Sequence, residues 1–434
     1  VLADVGHFEQ EFLDVPAECL ILTMKLNQKY FPLFLSGDET MAGLSSRFLI
    51  VSNMRLDDPR NVIEGNQRVV RPRLADARFF FETDKQTKLA DRLPKLASVV
   101  YHNKLGSQGE RGERVAKLAG EFAKKIGANV DQAVRAAQLS KADLVTDMVG
   151  EFPELQGTMG RYYALHDGEG EIVANAIAEH YRPRFAGDAL PKTTVSISVA
   201  LADKMDTLAG LFGIGQEPTG DKDPFALRRH ALGVLRMLIE CDLPLTMKDV
   251  VASAFTNFPN TQVEAEGRLV HYIFDRLAGY LREFGYTLLE VDAVVSVRPE
   301  RWSELPIRLA AVRAFAQLPE AASLAAANKR IGNILKKADS IPEFFVEANL
   351  VEVQERILAA AMAQVMPKAK QLFDAAKYED SLKSLAALRE PVDAFFEHVM
   401  VNADDPVVRA NRLGLLATLH REMNRVADLS KLAN

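Results

Sequence analysis

The sequence predicts a mainly α-helical, multidomain protein with a small α+β portion at its N-terminus. Three observations carry this. Its 434 residues, at roughly 150 per domain, suggest about three domains. Short apolar runs of strand length and β-branched content occur early, before about residue 90. From around Pro72 onward, apolar residues recur at the spacing of a helix face.

Taken in order, Cys19–Met24 and Phe48–Ser52 read as strands, with turn chemistry at Ser36–Glu39 between them. Residues 1–95 therefore form the α+β portion. Residues 96–245 read as helical. Val115, Leu118, Ala119 and Phe122 share one face, and Ala133, Ala136, Ala137, Leu139 and Leu144 extend the pattern through the next helix. Pro153 and Gly157 break the chain. Val195–Leu208 is apolar on one face and leads into Gly210–Gly215, read as a loop. Residues 218–224 form a further loop, after which Asp223 caps a helix with Pro224 at its first position. Residues 246–320 hold short amphipathic helices, with Val270, Phe274, Leu277 and Leu281 on one face and Leu305, Leu309, Val312 and Phe315 on another. Residues 321–434 form a last all-helical unit. Its final helix is marked by Leu416, Leu419, Met423 and Val426, and Pro391 separates two of its earlier helices.

Composition narrows the function. Hydrophobic residues make up 48% and charged residues 26%, as in ordinary globular chains, which excludes a disordered tail or a disulfide scaffold. The net charge of −6 excludes a globally basic nucleic-acid coat but not a basic face. Cys19 and Cys241 are the only cysteines and belong to no CxxC pair, which points to reduced, buried thiols in a cytoplasmic protein. No apolar run approaches the ~20 residues of a membrane span. The opening at Val1 without Met reads as the interior of a longer polypeptide. Phosphate-loop, nucleophile-elbow, HExxH and dinucleotide fingerprints are absent.

One constellation could hold a metal. His102, Asp143 and Asp203, with Glu179-His180-Tyr181 between the last two, stand in the order of a water-activating His/Asp site. This stretch of about 140 residues resembles HD-superfamily hydrolases, but Ala142 stands where the histidine of the His-Asp doublet belongs. The expectation is a helical HD-like domain with a vestigial site and no bound metal; the alternative is a metal-dependent phosphohydrolase acting on nucleotides. A second pair, His166-Asp167, reads as a turn or helix cap.

Basic clusters are the other candidates, suited to phosphate contacts: Arg68, Arg71 and Arg73; Arg228 and Arg229; Lys329, Arg330, Lys336 and Lys337; and Arg409 with Asn411 and Arg412. Phe395-Phe396 reads as core.

The order of these segments resembles one family closely: the beta subunit of bacterial tetrameric glycyl-tRNA synthetase, over its C-terminal two-thirds. The resemblance rests on Gly65-Asn66-Gln67-Arg68-Val69-Val70-Arg71-Pro72-Arg73, Lys141–Thr146, Glu151–Gly157, Ala202–Leu208, Asp223–Arg229, Pro391–Phe396 and Asn411-Arg412-Leu413. It implies a ligase subunit without a catalytic centre of its own. Glycine activation, with ATP and Mg²⁺, would belong to a separate alpha subunit in an alpha2beta2 tetramer. It also implies that residues 321–434 resemble a DALR-type anticodon-binding domain, that the partner RNA is glycine tRNA, and that no cofactor is held in this chain.

Overall fold

The computed structural model describes residues 2–35, 41–53, 57–259 and 264–433. The turn expected at Ser36–Glu39 lies outside the described residues. Two units are distinguished: residues 1–234 with 251–266, and residues 235–250 with 267–434.

The first unit begins with an antiparallel sheet of β1 (Leu2–His7), β2 (Phe31–Phe34) and β3 (Leu44–Ser52), in the order β1-β3-β2. The strand expected at Phe48–Ser52 is β3. The one expected at Cys19–Met24 is instead part of a helix, α1 (Ala17–Gln28). Cys19, Leu20, Thr23 and Met24 form its buried face and Ile21 and Leu22 are half-buried, so nearly every position of the run is apolar whichever way it points. Such a run has no period that separates helix from strand. Lys29, in a left-handed conformation, ends the helix. Next comes α2 (Arg60–Lys85), which starts well before Pro72 and keeps that proline inside it. Pro72 lies on the exposed side, where water can satisfy the carbonyl it leaves unbonded.

After α3 (Leu89–Arg92), a short hairpin of β4 (Val100–His102) and β5 (Gly106–Ser107) leads into α4 (Gln108–Ile126). Ser107 and Glu110 form a reciprocal capping box at the start of α4. All four residues of the expected α4 face are buried. In α5 (Val130–Leu139), Ala133, Ala136, Ala137 and Leu139 are buried. Leu144 falls outside α5, in a 3-10 turn at Ala142–Val145. The break at Pro153 and Gly157 lies between α6 (Asp147–Glu151) and α7 (Thr158–His166); α8 (Glu171–Glu179) follows.

At the centre lies α9 (Thr194–Gly213), packed against α4, α5 and α8. It is not apolar on one face only: every residue from Val195 to Gly213 is buried. A helix enclosed on all sides carries no amphipathic stripe. Gly210 and Gly213 belong to its last turn rather than to a loop. The loop at 218–224 leads to α10 (Leu227–Glu240). Asp223 does cap α10, accepting the N–H groups of Leu227 and Arg228 at 2.8 and 3.0 Å. Pro224, however, precedes the helix by three residues, because Ala226 turns the chain at φ 55°.

Downstream lie α11 (Met247–Phe255) and α12 (Ala265–Glu283). On α12, Leu277 and Leu281 are buried, while Val270 and Phe274 are half-buried and Leu269 and Ile273 take the inner positions. The rest of the second unit comprises α13 (Leu288–Ser296), α14 (Leu305–Ala316), α15 (Ala321–Lys336), α16 (Val353–Asp374), α17 (Tyr378–Ser384), α18 (Arg389–His398) and α19 (Pro406–Met423). The expected α14 face is buried throughout. Pro391 sits in the first turn of α18, and Val426 is buried just beyond the end of α19. Helix α15 packs on α18 and α19, and α16 packs on α17, α18 and α19. Cys19 is buried, whereas Cys241 is half-buried; both are free thiols. Among the described residues, no helix is long and apolar enough to cross a membrane.

Candidate nucleic-acid interface

The basic residues separate into those that face solvent together and those consumed internally. On α2, Arg68 lies 3.6 Å from Glu64 and Arg71 lies 2.6 Å from Glu9. Arg73, two residues beyond Arg71, projects from a different side of the helix. The cluster therefore does not form one face. Arg228 donates to the Gly220 carbonyl and closes the loop ahead of α10, while Arg229 is exposed at the mouth of a cavity.

In the second unit, Lys329, Arg330, Lys337 and Arg409 line one open groove of about 830 Å³ between the C-terminal half of α15 and the start of α19. The groove is positioned by ordinary helix rules. Asp405 caps α19 by accepting the Val407 and Val408 N–H groups, with Pro406 at the first position. Ala325, Asn328 and Ile331 turn the opposite side of α15 inward. Asn328 exchanges side-chain hydrogen bonds with Asn424 at 2.8 and 3.2 Å, tying α15 to the end of α19. The Arg330 guanidinium lies 4.2 Å from the Phe396 ring centroid. Phe395 is fully buried as expected; Phe396 is half-buried and acts as a support for a cation. Asn333 and Asn402 add amides, and Asp339 is the one carboxylate on the lining.

Lys336 lies on the other flank of α15, in a second cavity of about 560 Å³ shared with Lys329, His420 and Lys431. Neither His420 nor Lys431 stands in a basic run, so the sequence offered no signal for them. Asn411 and Arg412 are turned inward. Asn411 bonds both backbone groups of Val346, at 2.7 and 3.1 Å. Arg412 pairs with buried Glu355 and donates to the Met400 carbonyl at 2.7 Å. Of the cluster at 409–412, only Arg409 lines the groove: Asn411, two residues on, points to the other side of the helix, and Arg412, on the neighbouring side, is drawn inward by Glu355.

The expected metal positions do not form a ligand set. His102 meets Gln216 at 3.0 Å. Asp143 accepts the N–H groups of Gly157 and Gly160 at 2.5 and 3.0 Å; Gly157 has φ 81°, and a Cβ at Gly160 would lie 3.0 Å from the carboxylate. Asp203 is held by Arg111 at 3.0 Å and Lys141 at 3.2 Å. These two fixed cations occupy the surroundings of the carboxylate, and Ala142 offers no ligand. The residues therefore do not fit a metal. Among the described residues, no group of three or more His, Cys, Asp or Glu side chains converges as metal ligands. In the second pair, Asp167 accepts the Leu89 N–H at 2.7 Å, a cap as expected.

Burial pushes Asp143 up to about 6, and its second oxygen has no hydrogen-bond partner. A folded-state value above the ordinary 3.8 stabilises the protein below that pH, and the contribution fades as pH rises through about 6. Asp143→Asn is thus expected to gain on the parent between pH 4 and 7 by on the order of 2–3 kcal/mol. Urea midpoints by circular dichroism check this, and a pH-independent difference would contradict it.

The glycyl-tRNA synthetase beta subunit family model matches residues 2–296, and a DALR anticodon binding domain model matches residues 324–429. The glycine–tRNA ligase beta subunit of Delftia acidovorans is 60% identical over 432 residues, 99% of this chain and 61% of that protein. Those of Methylobacillus flagellatus and Janthinobacterium sp. are each 59% identical over 99% of this chain and 61% of their own length. The chain thus spans about three-fifths of these relatives. With the groove lying within the DALR match and family similarity running through both units, the chain belongs to the glycyl-tRNA synthetase beta subunit family.

Proposed function

We propose that this chain supplies tRNA recognition to a cytoplasmic glycine–tRNA ligase and grips the anticodon loop of glycine tRNA in the α15–α19 groove. Adenylate formation, with ATP and Mg²⁺, belongs to a separate alpha subunit, and the two assemble as alpha2beta2. The observation that carries this reading is the convergence of Lys329, Arg330, Lys337 and Arg409 on one groove inside the DALR match. A loop of single-stranded RNA offers phosphates to such cations and unstacked bases to amides and guanidinium planes. Glycine has almost no side chain to read, so fidelity on the RNA side rests on such contacts.

The test is binding of glycine tRNA across a salt series, against the same tRNA with a changed anticodon. The double variant Lys329→Ala/Arg330→Ala is expected to weaken binding and to flatten the log–log salt slope by about 1.4–1.8, the loss of two phosphate contacts. An unchanged slope removes these residues from the interface. Equal affinity for both tRNAs removes anticodon reading from the groove.

A further inference from the structure

A second basic cavity, in the first unit, has no part in that groove. It has a volume of about 380 Å³, with Lys204, Arg184, Arg229, His230 and Tyr181 on its walls. Lys204 comes from the enclosed helix α9 and is only 2% exposed. Its ammonium has three N–H donors, and its hydrogen bond in the structure goes to the Tyr181 carbonyl at 3.2 Å. Asp203, its neighbour in sequence, makes its ion pairs with Arg111 and Lys141 and, like Asp188, acts on Lys204 only from beyond ion-pair distance. Among the described residues, no carboxylate lies within ion-pair distance of Lys204, Arg184 or Arg229. Glu154 is the one acidic residue on the wall, and it is exposed.

The fold makes room for this lysine. Gly233 lies in the middle of α10, where glycine weakens a helix by roughly 0.5–1 kcal/mol relative to alanine. A Cβ there would lie 2.6 Å from Lys204 Cε and 2.8 Å from its Cδ. A buried ammonium with two idle donors is costly unless an anion meets it. The Tyr181 ring already carries Lys141 Nζ at 3.9 Å, His180 at 3.8 Å and Arg184 at 5.6 Å, so it is poorly placed to stack a base. Burial, with Lys204 adding to it, pulls His230 down to about 3, so the imidazole is neutral and can donate without adding charge.

We propose that this cavity is a phosphate-binding site, with Lys204 as its deep cation and Arg184 and Arg229 as its outer clamp. The ligand is a phosphate group, borne either by a free nucleotide or by an RNA backbone. The inference does not depend on the α15–α19 groove binding tRNA.

The test uses the full chain and phosphorus NMR titrations with orthophosphate and with AMP. Both are expected to bind. Lys204→Met should weaken them by tenfold or more, and Arg229→Gln by roughly threefold to tenfold. Lys329→Ala/Arg330→Ala should leave them unchanged. Should Lys204→Met fail to fold, Arg229→Gln decides alone, since its side chain is exposed. No binding of either probe, or equal affinity in Arg229→Gln and the parent, overturns the proposal. Competition by a short single-stranded RNA, run in the Lys329→Ala/Arg330→Ala background, supports the site with RNA as its source. Competition by AMP alone supports it with a free nucleotide as its source.

Discussion

Asp203→Ala is expected to destabilise the first unit by about 3–5 kcal/mol, the usual cost of removing one member of a buried ion pair. Asp203 is 3% exposed on the central helix. Burial by itself raises its carboxyl, but Arg111 and Lys141 outweigh that and hold it well below the ordinary range. Lys141 is also buried, and burial brings it down to about 8 even with Asp203 beside it. Without Asp203, Lys141 has no carboxylate within ion-pair distance among the described residues. Arg111 keeps a longer contact to Asp206 at 3.5 Å, together with the backbone carbonyl of residue 203 at 3.3 Å, Thr207 at 2.8 Å and the Tyr101 ring at 4.4 Å. Because the folded value of Asp203 is depressed, its contribution is present above about pH 3.8 and is lost as pH falls below that, toward the folded value.

His102→Ala provides the contrast. His102 is half-buried, and its side chain bonds to Gln216 and the Lys104 N–H. Its removal should cost no more than about 1 kcal/mol. A metal site would make the two residues partners, so that added Mn²⁺ or Zn²⁺ stabilises the parent and neither variant. Urea unfolding of all three proteins with and without metal separates the cases. An Asp203→Ala loss below 1 kcal/mol would show that the buried cations find other partners.

Arg412→Ala should be as damaging to the second unit, and for the same reason. Arg412 and Glu355 are both buried, and Glu355 also accepts the Val351 and Glu352 N–H groups at 2.6 and 3.1 Å at the start of α16. Removing the arginine leaves a charged carboxylate inside and frees the Met400 carbonyl, for about 3–5 kcal/mol. For a unit of this size, that corresponds to a fall in Tm of roughly 6–20 °C. The chain has one tryptophan, Trp302, buried in this unit, so its fluorescence follows this transition alone. Lys329→Ala/Arg330→Ala should leave the Trp302 transition within about 0.5 kcal/mol, as exposed substitutions do. If the groove binds tRNA as proposed, both variants should lose it in a binding assay. Only Arg412→Ala does so by unfolding, and equal Trp302 transitions would refute the structural role given to Arg412.

These two residues also show where reading the chain reached and where it stopped. Arg409 and Arg412 looked equivalent as neighbours in a basic run, yet Arg409 lines the groove while Glu355, from another helix, holds Arg412 in the core. Asp203 was legible as chemistry-bearing, and Ala142 as a break in the metal pattern. The cations that surround Asp203 come from α4 and the turn after α5, 92 and 62 residues away, and no local pattern announces them. Likewise the run at Cys19–Met24 is apolar on successive positions, which suits a buried strand and a buried helix alike.

Local spacing was enough for what repeats locally: the faces of α4 and α14, the strand at Phe48–Ser52, the break at Pro153–Gly157 and the Asp223 cap. Family membership was also legible, because long strings of residues survive as strings. Burial and pairing are different, since they depend on which segment arrives opposite a side chain. Packing alone enclosed α9 on every side, kept Pro72 within a long helix and spent Arg228 and Arg412 on carbonyls and carboxylates. It also gathered Lys329, Arg330, Lys337 and Arg409 around one groove, and left the Lys204 ammonium facing a cavity. A charge in a sequence has only a sign; its partner, its dielectric surroundings and its exposure are properties of the assembled core.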